Sequence, residues 1–174
     1  MKQTELFNIK AGNTFEIAGI EFIKFLDEDG TTTAVAKEPV FNSRFGKNNN
    51  FKESDILKRL ETEILPKIAD EIGMENICDI VTDLTTLDGL EDYGQMTSKI
   101  SLPTADFYRA NRSTFDKYKL DMWWWLATAN GVNIPWVFCV SPGGHLGYGI
   151  YLCNGDGVRP ILRFVSSIFV SCEE

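Results

Sequence analysis

The chain has 174 residues, 44% of them apolar and 24% charged, with a formal net charge of −8. That length suits one domain with a real core, and the composition is that of an ordinary globule. The acidic balance argues against direct nucleic-acid binding, which needs clustered Lys and Arg, and suits docking on a basic protein surface.

The opening, MKQTELFNIKAGNTFEIAG, lacks the basic-then-apolar layout of a signal peptide. No run is long and apolar enough to cross a bilayer, so a cytoplasmic protein without membrane contact is expected. Residues 14–18 and 20–26 are rich in Phe and Ile, and Asp27-Glu28-Asp29-Gly30 turns the chain into residues 31–37. This predicts a three-stranded N-terminal β-meander. The Asn-rich stretch FNSRFGKNNNF at 41–51 reads as an exposed loop.

Ser54 is placed to cap a helix carrying Ile56, Leu57, Leu60 and Ile64 at helical spacing. Pro66 should interrupt it and start a second short helix with Ile68 and Ile72, closed by Gly73. Residues 79–93 read as an apolar stretch followed by an acidic loop, 100–102 as a short strand and 103–112 as a short helix. Beyond Met122 the segments WWWLAT, WVFCVS, GYGIYLC and VRPILRFV alternate with Gly, Asn and Pro, predicting strands joined by tight turns. The fold class expected is α+β, with two or three short helices and a mostly antiparallel C-terminal sheet.

Three adjacent tryptophans, Trp123, Trp124 and Trp125, need explaining in a chain with four. In a strand, Trp123 and Trp125 share one face and Trp124 takes the other, so the strand should be covered on both sides. An aromatic ligand platform is the other reading. The four cysteines, Cys78, Cys139, Cys153 and Cys172, form no C-x-x-C pair and are expected to be reduced and mostly buried; Cys139 and Cys153 could face each other on neighbouring strands.

His145 is the only histidine, so imidazole-based metal centres are disfavoured and any nucleophilic device must use it. It sits in SPGGHLGYG, a turn suited to a binding loop rather than to a held general base. Asp83, Asp88, Glu91 and Asp92 lie close in sequence, yet their spacing is not that of an EF-hand, and a solvated acidic loop is expected in place of calcium. Phosphate-loop motifs are absent, and no carboxylate pair stands out for glycoside hydrolysis. No cofactor is expected.

The segments NNNFKESDILKRL, VTDLTTLDGLEDYG, SKISL, WWWLAT and GDGVRPIL, in this order, resemble the DUF6273 family of bacterial and phage proteins. The resemblance spans about residues 14–164. Departures are Phe51 where the family has Trp, Ile161 where it has Ala, and the extra tail 165–174. The family has no agreed activity. The ending is similar to the C-terminal half of C-type-lectin-like domains of the formylglycine-generating-enzyme and diversity-generating-retroelement kind. That resemblance implies a scaffold made by the Trp-rich strand with Gly157, Arg159 and Pro160, and a ligand face within residues 129–154. Asn130, Asn133, Trp136, His145, Tyr148, Tyr151 and Asn154 are residue types suited to such a face; the alternative is that the aromatic residues fill the sheet core. Arg159 is expected to lie beside the tryptophans, paired with a carboxylate of the acidic loop. The formylglycine-generating chemistry does not carry over, because the cysteines stand far apart, and the lectin calcium tripeptides are missing.

Two functions follow as expectations. The first is a non-enzymatic, phage-associated or bacterial module binding a protein or glycan through 129–154. The second is an acidic phage-encoded inhibitor of a basic nucleic-acid-binding defence enzyme, such as a CRISPR nuclease. A hydrolase working through clustered carboxylates ranks below both. The apolar tail 168–172 is expected to form an edge strand able to pair two copies into a homodimer.

Overall fold

The computed structural model describes residues 1–173. Strand β1 (Lys2–Glu5) leads into one 3-10 turn at Leu6–Asn8. The expected meander follows as β2 (Thr14–Ile17), β3 (Ile20–Glu28) and β4 (Thr31–Ala36), each antiparallel to the next. Asp29 and Gly30 both take positive φ, the hairpin geometry whose twist matches the flanking strands. β3 is bulged between Lys24 and Leu26. Lys24 is buried there, donating to the Leu6 and Phe7 carbonyls and meeting Asp27 at 2.6 Å, which ties the first turn to the meander.

The 41–51 stretch is not simply an exposed loop. It begins with β5 (Phe41–Asn42), and Phe45, Asn49 and Phe51 are all buried. Its polar composition misleads because Asn49 turns inward to bond backbone rather than water. Ser54 then caps α1 (Asp55–Arg59), its hydroxyl accepting from the Leu57 N–H at 3.0 Å. The helix does not stop before Pro66. It widens into a π-type turn at Leu60–Ile64, where the Leu65 N–H reaches the Leu60 carbonyl, and continues as α2 (Leu65–Ile72). The wider turn accommodates a residue that brings no N–H. Gly73, at φ +85, ends the helix as expected.

Next come β6 (Ile77–Cys78), β7 (Ile80–Asp83) and β8 (Gln95–Ser98), the last two forming a separate ribbon around the acidic loop. Residues 100–102 make one bridge, Ser101 to Ile161, rather than a strand. α3 (Ala105–Ala110), capped by Thr104, and α4 (Arg112–Phe115) lead to β9 (Trp124–Ala129), β10 (Trp136–Val140) and β11 (Leu146–Ile150). The VRPILRFV segment is two strands. β12 (Gly157–Val158) joins one sheet and β13 (Ile161–Val165) the other, and the change falls at Arg159-Pro160, where proline offers no ladder N–H.

Last is β14 (Phe169–Cys172), and it lies between β1 and β2. The tail is therefore not an edge strand. Both its sides are occupied within the same chain, so it has no free ladder to offer a second copy.

The strand orders are β1-β14-β2-β3-β4-β13-β6 and β11-β10-β9-β12-β5. Pairing is antiparallel except where β12 runs parallel to β9, so the α+β, mostly antiparallel expectation holds. Both sheets feed two apolar cores. One gathers Phe15, Phe22, Phe164, Trp125 and Val137 under α1 and α2; the other gathers Ile23, Val35, Ile161, Trp124 and Phe138 against α3 and α4. All four cysteines are free and, against expectation, only Cys139 is buried. No described helix is long and apolar enough to cross a membrane.

Candidate functional site

The tryptophan run divides between the two cores. Trp124 and Trp125, the first residues of β9, are almost wholly buried on opposite faces. The Trp125 indole N–H donates to the Ser43 carbonyl at 2.9 Å. Trp123 precedes the strand and is 42% exposed, so not all three indoles are core. Its ring reaches across to β11: a Cβ on Gly147 would fall 2.7 Å from Trp123 Cζ3, and one on Gly149 would fall 3.3 Å from Trp125 Cη2. The alternate glycines of β11 thus form a floor on which two indoles lie.

The opposite face of the β10–β11 hairpin is open at one end. The antiparallel register sets Trp136 against Ile150, Phe138 against Tyr148 and Val140 against Leu146. Phe138 and Val140 run into the core, whereas Trp136, Tyr148 and Ile150 are 37%, 59% and 39% exposed. Trp136 and Tyr148 meet edge to face, with centroids 5.1 Å apart. Ile134 and Leu152, two residues before Trp136 and two after Ile150 in sequence, are also exposed.

Of the seven residues expected to share a ligand face, Trp136 and Tyr148 are the two whose exposed side chains meet, while Asn130 touches Trp136 through its backbone N–H, which donates to the Trp136 carbonyl at 3.2 Å. Asn133 takes positive φ in the 130–136 loop and donates its N–H to the Tyr93 hydroxyl at 3.0 Å. Asn130 is half-buried, and its side-chain oxygen finds no partner among the described residues. Tyr151 is half-buried against the main core, its backbone bonded to Pro135, Phe45 and Gly46, so it belongs to the scaffold. His145 is exposed at the far turn of the hairpin, where its N–H donates to Ser141 Oγ. Asn154 lies elsewhere, in an open cleft of about 610 Å³ lined by Asn42, Ser43, Arg44, Asp55, Lys58 and Arg59.

The scaffold residues do converge. Gly157 bonds the Trp123 carbonyl and pairs with Trp124, and Pro39 packs where a Gly157 side chain would project. The Pro160 carbonyl accepts from the Ala36 N–H at 3.0 Å. Arg159, 1% exposed, lies with its guanidinium 4.6 Å from the Trp124 ring centroid and its Nε donating to the Ala36 carbonyl at 2.9 Å. The carboxylate expected from the acidic loop is absent from its surroundings; a carbonyl and an indole face do that work. Burial pushes the guanidinium down to about 10.

Two carboxylates of the acidic loop, Asp83 and Asp88, bond within the loop. Asp83 accepts from the Thr85 N–H and hydroxyl, which hold its carboxyl below the usual range, and Asp88 accepts from the Thr86 hydroxyl. No three of the described His, Cys, Asp and Glu side chains converge as metal ligands. Burial raises the Cys139 thiol to about 12, leaving it un-ionised and inert at neutral pH. Near it, burial also raises the Asp156 carboxyl above its ordinary range, and this half-buried group meets no cation among the described residues. Comparison with protein-family models, curated proteins and solved structures finds no match for the chain.

Three residues of this surface were within reach of the sequence, Trp136 and Tyr148 by residue type and Ile150 by its spacing from Tyr148. In GYGIYLC, alternation already places Tyr148 and Ile150 on one face. Trp123 carries no such signal, since its exposure depends on where β9 begins.

Proposed function

We propose that this protein is a non-enzymatic recognition module whose ligand seats on the Trp136–Tyr148–Ile150 end of the β10–β11 hairpin. The observation that carries this reading is an aromatic pair at 5.1 Å, left open on a strand rooted in the core through Phe138 and Val140. Rigid aromatic residues held by a packed sheet lose little conformational freedom when a ligand covers them. The DUF6273 and C-type-lectin-like kinship belongs to the same reading. Its support is the placement of the Trp-rich strand beside Gly157, Arg159 and Pro160, with the segment between them carrying the exposed aromatics.

The test is to screen a glycan array and a displayed peptide library with the wild type and a Trp136→Ala/Tyr148→Ala variant of matched circular dichroism. Tyr151 is left intact because it packs on the core. Ligands weakened about a hundredfold by the variant, the loss of two aromatic anchors, support the reading. Ligands that bind both proteins equally place recognition elsewhere and overturn it.

A further inference from the structure

β11 ends the five-stranded sheet, and its outer side is unpaired. The Ser141 N–H bonds the His145 carbonyl and the Tyr151 N–H bonds the Pro135 carbonyl. Antiparallel alternation between these points turns Gly147 and Gly149 toward β10 and leaves Leu146, Tyr148 and Ile150 facing outward. The N–H groups of all three, and the carbonyls of Leu146 and Tyr148, take no described partner; the Ile150 carbonyl accepts from Cys153.

Other ends of the two large sheets are guarded. β1 carries Lys2 and Glu5, while β5 and β6 have two residues each. β11 reads LGYGI, five residues without a charge, the kind of edge that other strands pair with. Both faces beside it are apolar: Tyr148 and Ile150 on one, the half-exposed Trp123 indole over Gly147 on the other. On the glycine face Asp156 Oδ2 approaches within 3.8 Å of where a Gly149 Cβ would lie, and no described cation meets it.

We propose that the ligand is an extended peptide segment carrying a basic side chain, added to β11 as a sixth strand. Its backbone would pair with Leu146, Tyr148 and Ile150, its alternate side chains would lie on Tyr148 and on Trp123, and its cation would meet Asp156. This rests on the recognition reading above and names the class of ligand. A second copy fits less well. Two β11 strands pairing antiparallel about Tyr148 set Gly149 opposite the other Gly147, bringing no cation to Asp156 and joining two chains of net charge −8.

The probe is a fluorescein-labelled peptide alternating Val with Thr and bearing one central Lys on the Thr side. Two further versions are N-methylated, each on one alternate set of amides. Strand addition predicts that one methylated version loses binding about tenfold or more while the other keeps it. It also predicts slowed hydrogen exchange at Leu146, Tyr148 and Ile150, and a penalty for Glu in place of the peptide Lys that Asp156→Asn removes. Equal binding by both methylated peptides, lost with Trp136→Ala, overturns strand addition and leaves the aromatic platform standing. No binding at millimolar peptide overturns it as well. Protection of the three amides that rises with protein concentration alone assigns the edge to a second copy and overturns it too. Failure of the recognition reading shows separately, in library ligands that ignore Trp136→Ala/Tyr148→Ala.

Discussion

Arg159 joins the two sheets through a main-chain hydrogen bond and aromatic contacts, without a carboxylate partner. Its Nε bonds the buried Ala36 carbonyl, its guanidinium covers Trp124, and Phe115 lies 5.6 Å away. Because burial lowers its proton affinity, the charged form opposes folding at neutral pH, and stability rises only as pH climbs from about 10 toward the unfolded value. Arg159→Ala leaves a cavity and an unpaired carbonyl, and should cost about 3 kcal/mol in urea unfolding. Arg159→Met keeps the volume and removes the desolvated charge, so it should cost about 1 kcal/mol. Equal losses would show that the charge, not the packing, matters. The GVRP motif made this position visible in the sequence, but its partner was not: an indole face and a main-chain carbonyl leave no complementary charge to look for.

The elements most legible in sequence were those with local signals. Asp29-Gly30 announced its hairpin, Ser54 its helix start and Gly73 its helix end. The 41–51 segment failed because Asn49 serves a partner far along the chain. Its amide donates to the Gly131 carbonyl at 2.7 Å and to the Trp136 carbonyl at 3.3 Å, while its oxygen accepts from the Tyr93 hydroxyl, which in turn receives the Asn133 N–H. One buried amide thus fixes the loop that delivers Trp136 to the hairpin. Asn49→Ala should cost about 2 kcal/mol of stability and accelerate amide exchange through 130–136. Tyr93→Phe, which removes one link only, should cost about 1 kcal/mol. Additive losses in the double variant would show that the two side chains act independently; a shortfall would show the shared network.

The expected ligand face is only partly brought together, for a reason that belongs to the whole molecule. Tyr151 and Asn154 follow β11 in sequence, but the Tyr151 carbonyl accepts from the Phe45 and Gly46 N–H groups, partners about a hundred residues away, and Pro160, which marks a break in the ladder, does not say that the chain changes sheet there. The tail shows the same limit. β14 pairs Lys2 with Cys172 and Glu5 with Phe169, contacts spanning nearly the full chain, and Val170 fills the core beside them. Nothing local distinguishes such a strand from a free edge. Deleting residues 169–174 removes the partner of β1 and exposes the side of β2 that carries Ser171 against Glu16. The loss should reach about 3 kcal/mol, the burial of Val170 together with the ladder it supports. The truncated protein should also associate with rising concentration, because an interior strand has become an edge. Urea unfolding and light scattering check the two effects separately. An unchanged midpoint would mean that β1 and β14 add nothing to the sheet they join. A lower midpoint with an unchanged mass would mean that the β1 segment folds back to cover the exposed strand.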